Sequence, residues 1–187
     1  MRPTTSERLL YRQWREDDLP AIEAMNANPH IMEFVAGSLS QERTRQSLSF
    51  VASHFQAHGF GQCVAEERVT GRLAGLGGLM HVNFLDPANS PVEFSWRFLP
   101  EFWGKGFAHE AMRAAFDSGF NELGLDEIVA YASTRNERSI RLMGRAGLPP
   151  DLDRPFLHPM LPPDHPTQPY VAGCLRAADF AARAASH

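Results

Sequence analysis

Val92-Glu93-Phe94-Ser95-Trp96-Arg97-Phe98-Leu99-Pro100-Glu101-Phe102-Trp103-Gly104-Lys105-Gly106-Phe107-Ala108 changes its hydrophobic period in mid-course. Over 92–98 the apolar residues Val92, Phe94, Trp96 and Phe98 alternate with Glu93, Ser95 and Arg97, the period of a strand with one apolar and one polar face. After Gly106 the apolar residues Ala108, Ala111, Met112, Ala115, Phe116 and Phe120 recur at helical spacing. A strand therefore runs through Gly104-Lys105-Gly106 into a helix. Glycines let a backbone turn tightly and approach a ligand closely. The first N–H groups of a helix have no internal partner and point outward at the positive end of its dipole. The segment is thus suited to an anion such as a pyrophosphate, with Lys105 adding charge at the rim. A nucleoside-triphosphate loop is excluded, because one residue separates the glycines and Phe107 follows. A dinucleotide fingerprint fails at His109, where its third glycine would fall. An isolated Gly-x-Gly more often marks a plain turn, so the flanking elements carry the weight.

Working toward the N-terminus, Leu73-Ala74-Gly75-Leu76-Gly77-Gly78-Leu79 and Gln62-Cys63-Val64-Ala65-Glu66 read as a hairpin turned at Val69-Thr70-Gly71. Its glycines weaken it unless another backbone or a ligand comes close. Leu9 to Trp14 alternates as a first strand. Asp17 and Asp18 open a short helix carrying Leu19, Ile22 and Met25, and Ser40 caps a longer one with Leu48, Val51, Ala52 and Phe55 inward. A loop covers Asp86-Pro87-Ala88-Asn89-Ser90-Pro91. Toward the C-terminus, Gly119 and Gly124 mark the end of the helix after the glycine loop, and Ile128–Ala132 is a strand. Asn136 caps a helix carrying Ile140, Met143 and Ala146, with Gly147 at its C-cap. Residues 149–169 are Pro-rich loop, Tyr170–Leu175 is a last strand, and an Ala-rich helical tail begins at Arg176.

The 187 residues fit one domain, 1–187, with a sizeable core. A formal net charge of -4 offers no basic stripe for nucleic acid. Cys63 and Cys174 make no disulfide framework and share no metal-ligand spacing. His54 and His58 lie four apart, but Phe55 stands where a zinc protease needs Glu, so both read as packing or solvated histidines and no metal is expected. No apolar run is long enough for a membrane span and the N-terminus has no signal-like core, so the expectation is a cytoplasmic protein without membrane or nucleic-acid partners.

Phe98 to Ala108 closely resembles the coenzyme A loop of GCN5-related N-acetyltransferases, nearest in pattern to the ribosomal-protein alanine N-acetyltransferase type. Gly106 and Ala108 match the family's Gln/Arg-x-x-Gly-x-Gly/Ala, and Trp103 stands at the Gln/Arg position, as that branch often has it. Thr5-Ser6-Glu7-Arg8-Leu9-Leu10 and Arg12 resemble the family's first strand. Asn136, Ser139, Arg141, Leu142 and Gly147 resemble its second cofactor segment, and Phe156, His158, Pro159 and His165 the branch's C-terminal loop.

The resemblance implies an α/β (α+β) fold, a mixed, mostly antiparallel twisted sheet with helices on both faces. It implies acetyl-coenzyme A as cosubstrate, entering a V between the Val92–Phe98 and Ile128–Ala132 strands, and direct transfer to an amine. Phe98, Leu99, Trp103, Gly104, Lys105, Gly106, Phe107, Ala108, Asn136 and Ser139 would hold the cofactor. Glu93 is the candidate base, set against a surface carboxylate paired with Arg97. Ser95 would bind the acceptor or order a water. The family's usual acid, a tyrosine, aligns with Gly173, which leaves Tyr170 as the acid candidate. The helix at 40–58 and the 149–169 stretch would line the acceptor side, and the apolar last strand suits a homodimer. A non-catalytic acyl-coenzyme A sensor on the same scaffold stands as the alternative, with an unrelated nucleotide-binding domain behind it.

Overall fold

A computed structural model describes residues 1–35, 37–82 and 91–184. The strands are β1 (Thr4–Thr5), β2 (Leu9–Arg12), β3 (Gln62–Glu67), β4 (Leu73–His81), β5 (Val92–Phe98), β6 (Glu127–Ser133) and β7 (Tyr170–Arg176). The helices are α1 (Leu19–Ala27), α2 (Gln41–His58), α3 (Phe107–Asp117), α4 (Glu137–Ala146) and α5 (Ala177–Ala184). The strands form one sheet in the order β1-β2-β3-β4-β5-β6-β7, and every neighbouring pair is antiparallel except β5 and β6. Residues 86–90 of the expected loop lie outside the described residues. No helix among the described residues is long and apolar enough to cross a membrane.

The strand residues sort the helices between two faces. Val64 and Leu76 share a cluster with Leu19, Ile22, Met25 and Leu48 of α1 and α2. Their strand neighbours Cys63 and Ala65 point the opposite way, into the cluster that holds Phe94, Phe98, Ala111, Met112 and Phe116. Side chains alternate across a strand, so α1 with the start of α2 covers one face and α3 the other. The glycines of β4 have the backbone neighbours expected of them. A Cβ on Gly75 would strike the Arg97 carbonyl, and one on Gly78 would strike the Gly61 carbonyl.

Several boundaries differ from the sequence reading. The first strand stops at Arg12 rather than Trp14, because Arg12 turns to pair with Asp18 and Trp14 packs against the α1 side. Asp17 and Asp18 sit in a 3-10 turn, Glu16–Asp18, before α1 begins at Leu19. Gly119 does not end α3. The chain continues as a wide helical turn through Ser118–Glu122, where Gly119 packs against the end of the Ile128 side chain, which a Cβ would displace. The turn out comes at Gly124, whose φ is +66°.

Candidate active site

The parallel pair β5 and β6 shares a single register partner, Glu93 with Val129. Beyond that rung the strands diverge, and a cleft of about 1500 Å³ opens between them. The Leu99 N–H donates to Ala74, so by antiparallel alternation Arg97 and Ser95 also spend their N–H groups on β4. Those of Trp96 and Phe98 are left on the cleft edge. The Phe98 carbonyl accepts the Trp103 indole N–H at 2.7 Å, which fixes the ring at the cleft wall under the Arg138 guanidinium, 5.3 Å from its centre.

The loop delivers α3 to this opening. Gly104 and Gly106 have φ of +70° and +83°, a region that L side chains avoid. Gly106 is the N-cap of α3 and no side chain caps the helix, so its leading N–H groups face outward for a ligand. The loop is held from behind. Arg8 donates to the Lys105 carbonyl at 2.8 Å, pairs with Glu110 at 2.7 Å and lies 4.1 Å over the Phe107 ring. Across the cleft Asn136 caps α4 by accepting from the Ser139 N–H at 3.1 Å, and Arg135, Arg138, Arg141 and Arg145 bring positive charge to the same wall.

The expected cofactor residues thus divide. Phe98, Trp103, Gly104, Gly106, Ala108, Asn136 and Ser139 border the cleft. Leu99 and Phe107 are packing residues, Phe107 edge-on to Phe102 at 5.1 Å, and Lys105 is exposed beside the loop.

At the other end of the cleft Glu93 is buried rather than on a solvated face, and it does not pair with Arg97. It accepts a hydrogen bond from the Tyr131 hydroxyl of β6 at 3.0 Å. Burial pushes its carboxyl up to about 7, against the pull of that hydrogen bond. Burial, and then the facing Glu93, raise the Tyr131 phenol as well. Ser95, two residues on, accepts from the Gln62 side chain at 3.0 Å. The Tyr170 hydroxyl is engaged by Thr167 at 3.0 Å and the Phe34 carbonyl at 3.3 Å, and its ring lies 6.1 Å from Tyr131 and 5.2 Å from His158. A side chain at Gly173 would collide with the Leu148 carbonyl, so no tyrosine fits there. Sequence reasoning missed Tyr131. It stood in an apolar run, and the crossing of β6 at the Glu93–Val129 rung is what brings its hydroxyl, two residues on, to Glu93.

His54, His58 and His81 bring ring nitrogens within 4.8 Å of one another. His54 Nδ1 lies 2.8 Å from the Phe60 carbonyl, and its Nε2 accepts the His81 N–H at 3.0 Å. Both nitrogens of the buried ring are thus committed to the fold, which makes His54 a packing histidine.

Comparison with known proteins agrees with this geometry. The family model described as an acetyltransferase (GNAT) domain matches residues 8–149. An uncharacterised N-acetyltransferase of Bacillus subtilis (strain 168), YoaA, is 31% identical over 146 residues, covering 76% of this chain and 80% of that protein. An acetyltransferase from Agrobacterium tumefaciens superposes with a TM-score of 0.73 at 25% identity, over 92% of this chain and 94% of the other. A spermidine N-acetyltransferase from Vibrio cholerae, solved with CoA and spermine, gives a TM-score of 0.72 at 21% identity, over 94% and 99%. A cleft between splayed parallel strands, an uncapped helix behind a glycine loop and a match over most of the chain converge: this protein belongs to the GNAT acetyltransferase family.

Proposed function

We propose that the protein is an acetyl-coenzyme A-dependent N-acetyltransferase that acetylates a primary amine by direct attack on the thioester. The observation that carries this reading is the shared cleft. The uncapped N-terminus of α3 opens on it at one end, and the buried carboxyl of Glu93 lies at the other. Coenzyme A fits the cofactor half through its phosphates. The N–H groups after Gly106 and the arginines of α4 suit the pyrophosphate and its neighbouring charge, while the backbone of Trp96 and Phe98 suits the amide-bearing arm.

When bound, acetyl-coenzyme A supplies an activated acyl group with a thiolate as leaving group. Glu93 takes the proton from the incoming ammonium, either directly or through a water held by Ser95. A carboxyl poised near neutrality is matched to that task. The amine attacks the carbonyl carbon, and a β5 N–H on the cleft edge stabilises the oxygen that becomes negative. Collapse of the tetrahedral species releases the thiolate, which must gain a proton. Tyr170 and Tyr131, whose rings lie 6.1 Å apart, are the two phenols proposed for that proton, and the donor regains it from the nitrogen of the new amide. A peptide N-terminus, as in the ribosomal-protein alanine branch, and a small amine are both acceptors of the right chemistry.

Calorimetric titration with acetyl-coenzyme A, with ATP and NAD as controls, tests the first half. One saturable site is expected. Gly106→Trp should weaken it about 100-fold, since a bulky residue at positive φ is strained and fills the approach to the N–H groups. An amine screen on the same protein tests the second half. Saturable binding with no transfer to any amine would leave the sensor reading, and no binding at millimolar ligand would sink both.

A further inference from the structure

Among the described residues, Arg97 is a partly buried guanidinium of the cleft with a sealed nitrogen that no group satisfies. Arg12 shows how this fold ordinarily treats such a group. It is similarly enclosed, and it pairs with Asp18 at 2.7 Å and Glu66 at 2.8 Å. Arg97 enters no ion pair among the described residues. Its Nε is sealed from solvent without a hydrogen-bond partner among the described residues, and one terminal nitrogen donates to the Met32 thioether at 3.2 Å, a weak acceptor. Burial pulls its pKa down to about 10. A guanidinium nitrogen sealed from water without an acceptor is costly, and the rest of the group, half-buried on the cleft wall, is open to an anion that enters the cleft.

Position narrows what that is. Arg97 borders the same cleft as Glu93 and Ser95 and shares their strand face, because side chains two and four residues apart point the same way. That face looks toward the α1–α2 connection, where Met32 lies. Phe94 and Phe98 face α3 instead. The phosphates of the cofactor are expected at Gly104–Ala108 and the arginines of α4, on the other side of the β5–β6 opening. The base and this cation are about 13 Å apart along the strand at Cα, so the panel of acceptors must vary the separation of amine and carboxylate.

Resting on the acetyltransferase reading above, we infer that Arg97 is an acceptor-recognition residue: it receives the carboxylate of an amine substrate whose amino group is presented to Glu93. The planar guanidinium fork matches a carboxylate in two parallel hydrogen bonds. The preferred acceptor class is therefore an amino acid or a short peptide with a nearby free carboxylate. A polyamine is disfavoured because a second cation would face Arg97, and a peptide N-terminus without an acidic neighbour because it leaves Arg97 without an anion.

The test compares matched acceptors on wild type, Arg97→Gln and Arg97→Lys. The panel is the α-amino acids, ω-amino acids from glycine to 6-aminohexanoate, the carboxamide of each, a neutral peptide amide and spermidine. In wild type kcat/KM for the best carboxylate should exceed that for its carboxamide about 100-fold. Arg97→Gln should abolish that preference, mainly through KM, and Arg97→Lys should restore part of it. The calorimetric Kd for acetyl-coenzyme A should stay within about twofold in both variants, which also shows that they fold. Transfer that favours carboxamides or spermidine, or a carboxylate preference that survives Arg97→Gln, overturns this inference and leaves the transferase reading intact. A tenfold or larger loss of acetyl-coenzyme A affinity in Arg97→Gln assigns the residue to the cofactor and also overturns it. Acetyl-coenzyme A binding without transfer to any amine sinks the transferase reading and this one with it.

Discussion

The two halves of the cleft are built by different means. The half proposed for the cofactor is mostly backbone: a glycine loop, the N-terminus of α3 and the edge of β5, with the Asn136 cap and the arginines of α4 facing them. The acceptor half is side chain: Glu93 and Arg97 from β5, Tyr131 from β6, Met32 from the α1–α2 connection and Tyr170 from β7. A phosphate can be held by groups that every residue carries, provided the chain can bend as glycine allows. Selecting an amine takes particular side chains at particular places. Substitutions in the first half should therefore act on binding of the cofactor, and those in the second on turnover and choice of acceptor.

The sharpest way to break that division is Glu93→Gln. On the best acceptor found, kcat/KM should fall about 100- to 10 000-fold, with the calorimetric Kd for acetyl-coenzyme A unchanged. A loss below tenfold would remove Glu93 from the chemistry. The same variant carries a stability signature. Glu93 is raised in the fold from an ordinary 4.5 to about 7, so between those values the native state holds a proton that the unfolded chain has released. Stability from this group is full below about 4.5 and falls as pH rises through 7, by roughly 2–4 kcal/mol in all. Glu93→Gln should thus melt higher than wild type at pH 8 and close to it at pH 4.5, as calorimetric Tm would show.

A smaller effect sharpens the acceptor half. Wild-type kcat/KM should climb through an apparent pKa near 7, and that limb should vanish in Glu93→Gln. The Tyr131 hydroxyl stabilises the charged carboxylate, so Tyr131→Phe should move the limb to higher pH and cost several-fold at pH 7. A limb that stays where it was would make Tyr131 a wall residue. The mildest change belongs to the cofactor half. Asn136→Ala removes the α4 cap and should cost about 1 kcal/mol, a Tm lower by about 2–4 °C, with acetyl-coenzyme A affinity reduced and the pH limb unmoved.

How much of this was legible in the sequence follows the same line. The alternation over 92–98, the glycine loop and the Asn136 cap are local signals, and each predicted element is present. Residues whose state is set by distant partners were not legible. Glu93 alternates like any solvated carboxylate, yet lies buried because β6 crosses there and brings Tyr131. Gly119 resembles a helix stop, yet the helical turn runs through it and it packs against Ile128. Arg97 and Glu93 look like natural partners on one strand face, yet Glu93 is taken by Tyr131 and Arg97 turns to Met32.

The solitary rung between Glu93 and Val129 has a mechanical consequence. On one side lie five strands and on the other β6 with β7, joined at that point by little more than one pair of residues. A molecule lying in the V with its amides against β5 becomes the rungs that the ladder lacks, and so a working part of the sheet. Amide hydrogens of Trp96 and Phe98 should exchange quickly in the free protein and slow when acetyl-coenzyme A is added, while those that β5 spends on β4 stay protected throughout. The span of slowed amides would then trace, residue by residue, how far the arm reaches toward Glu93.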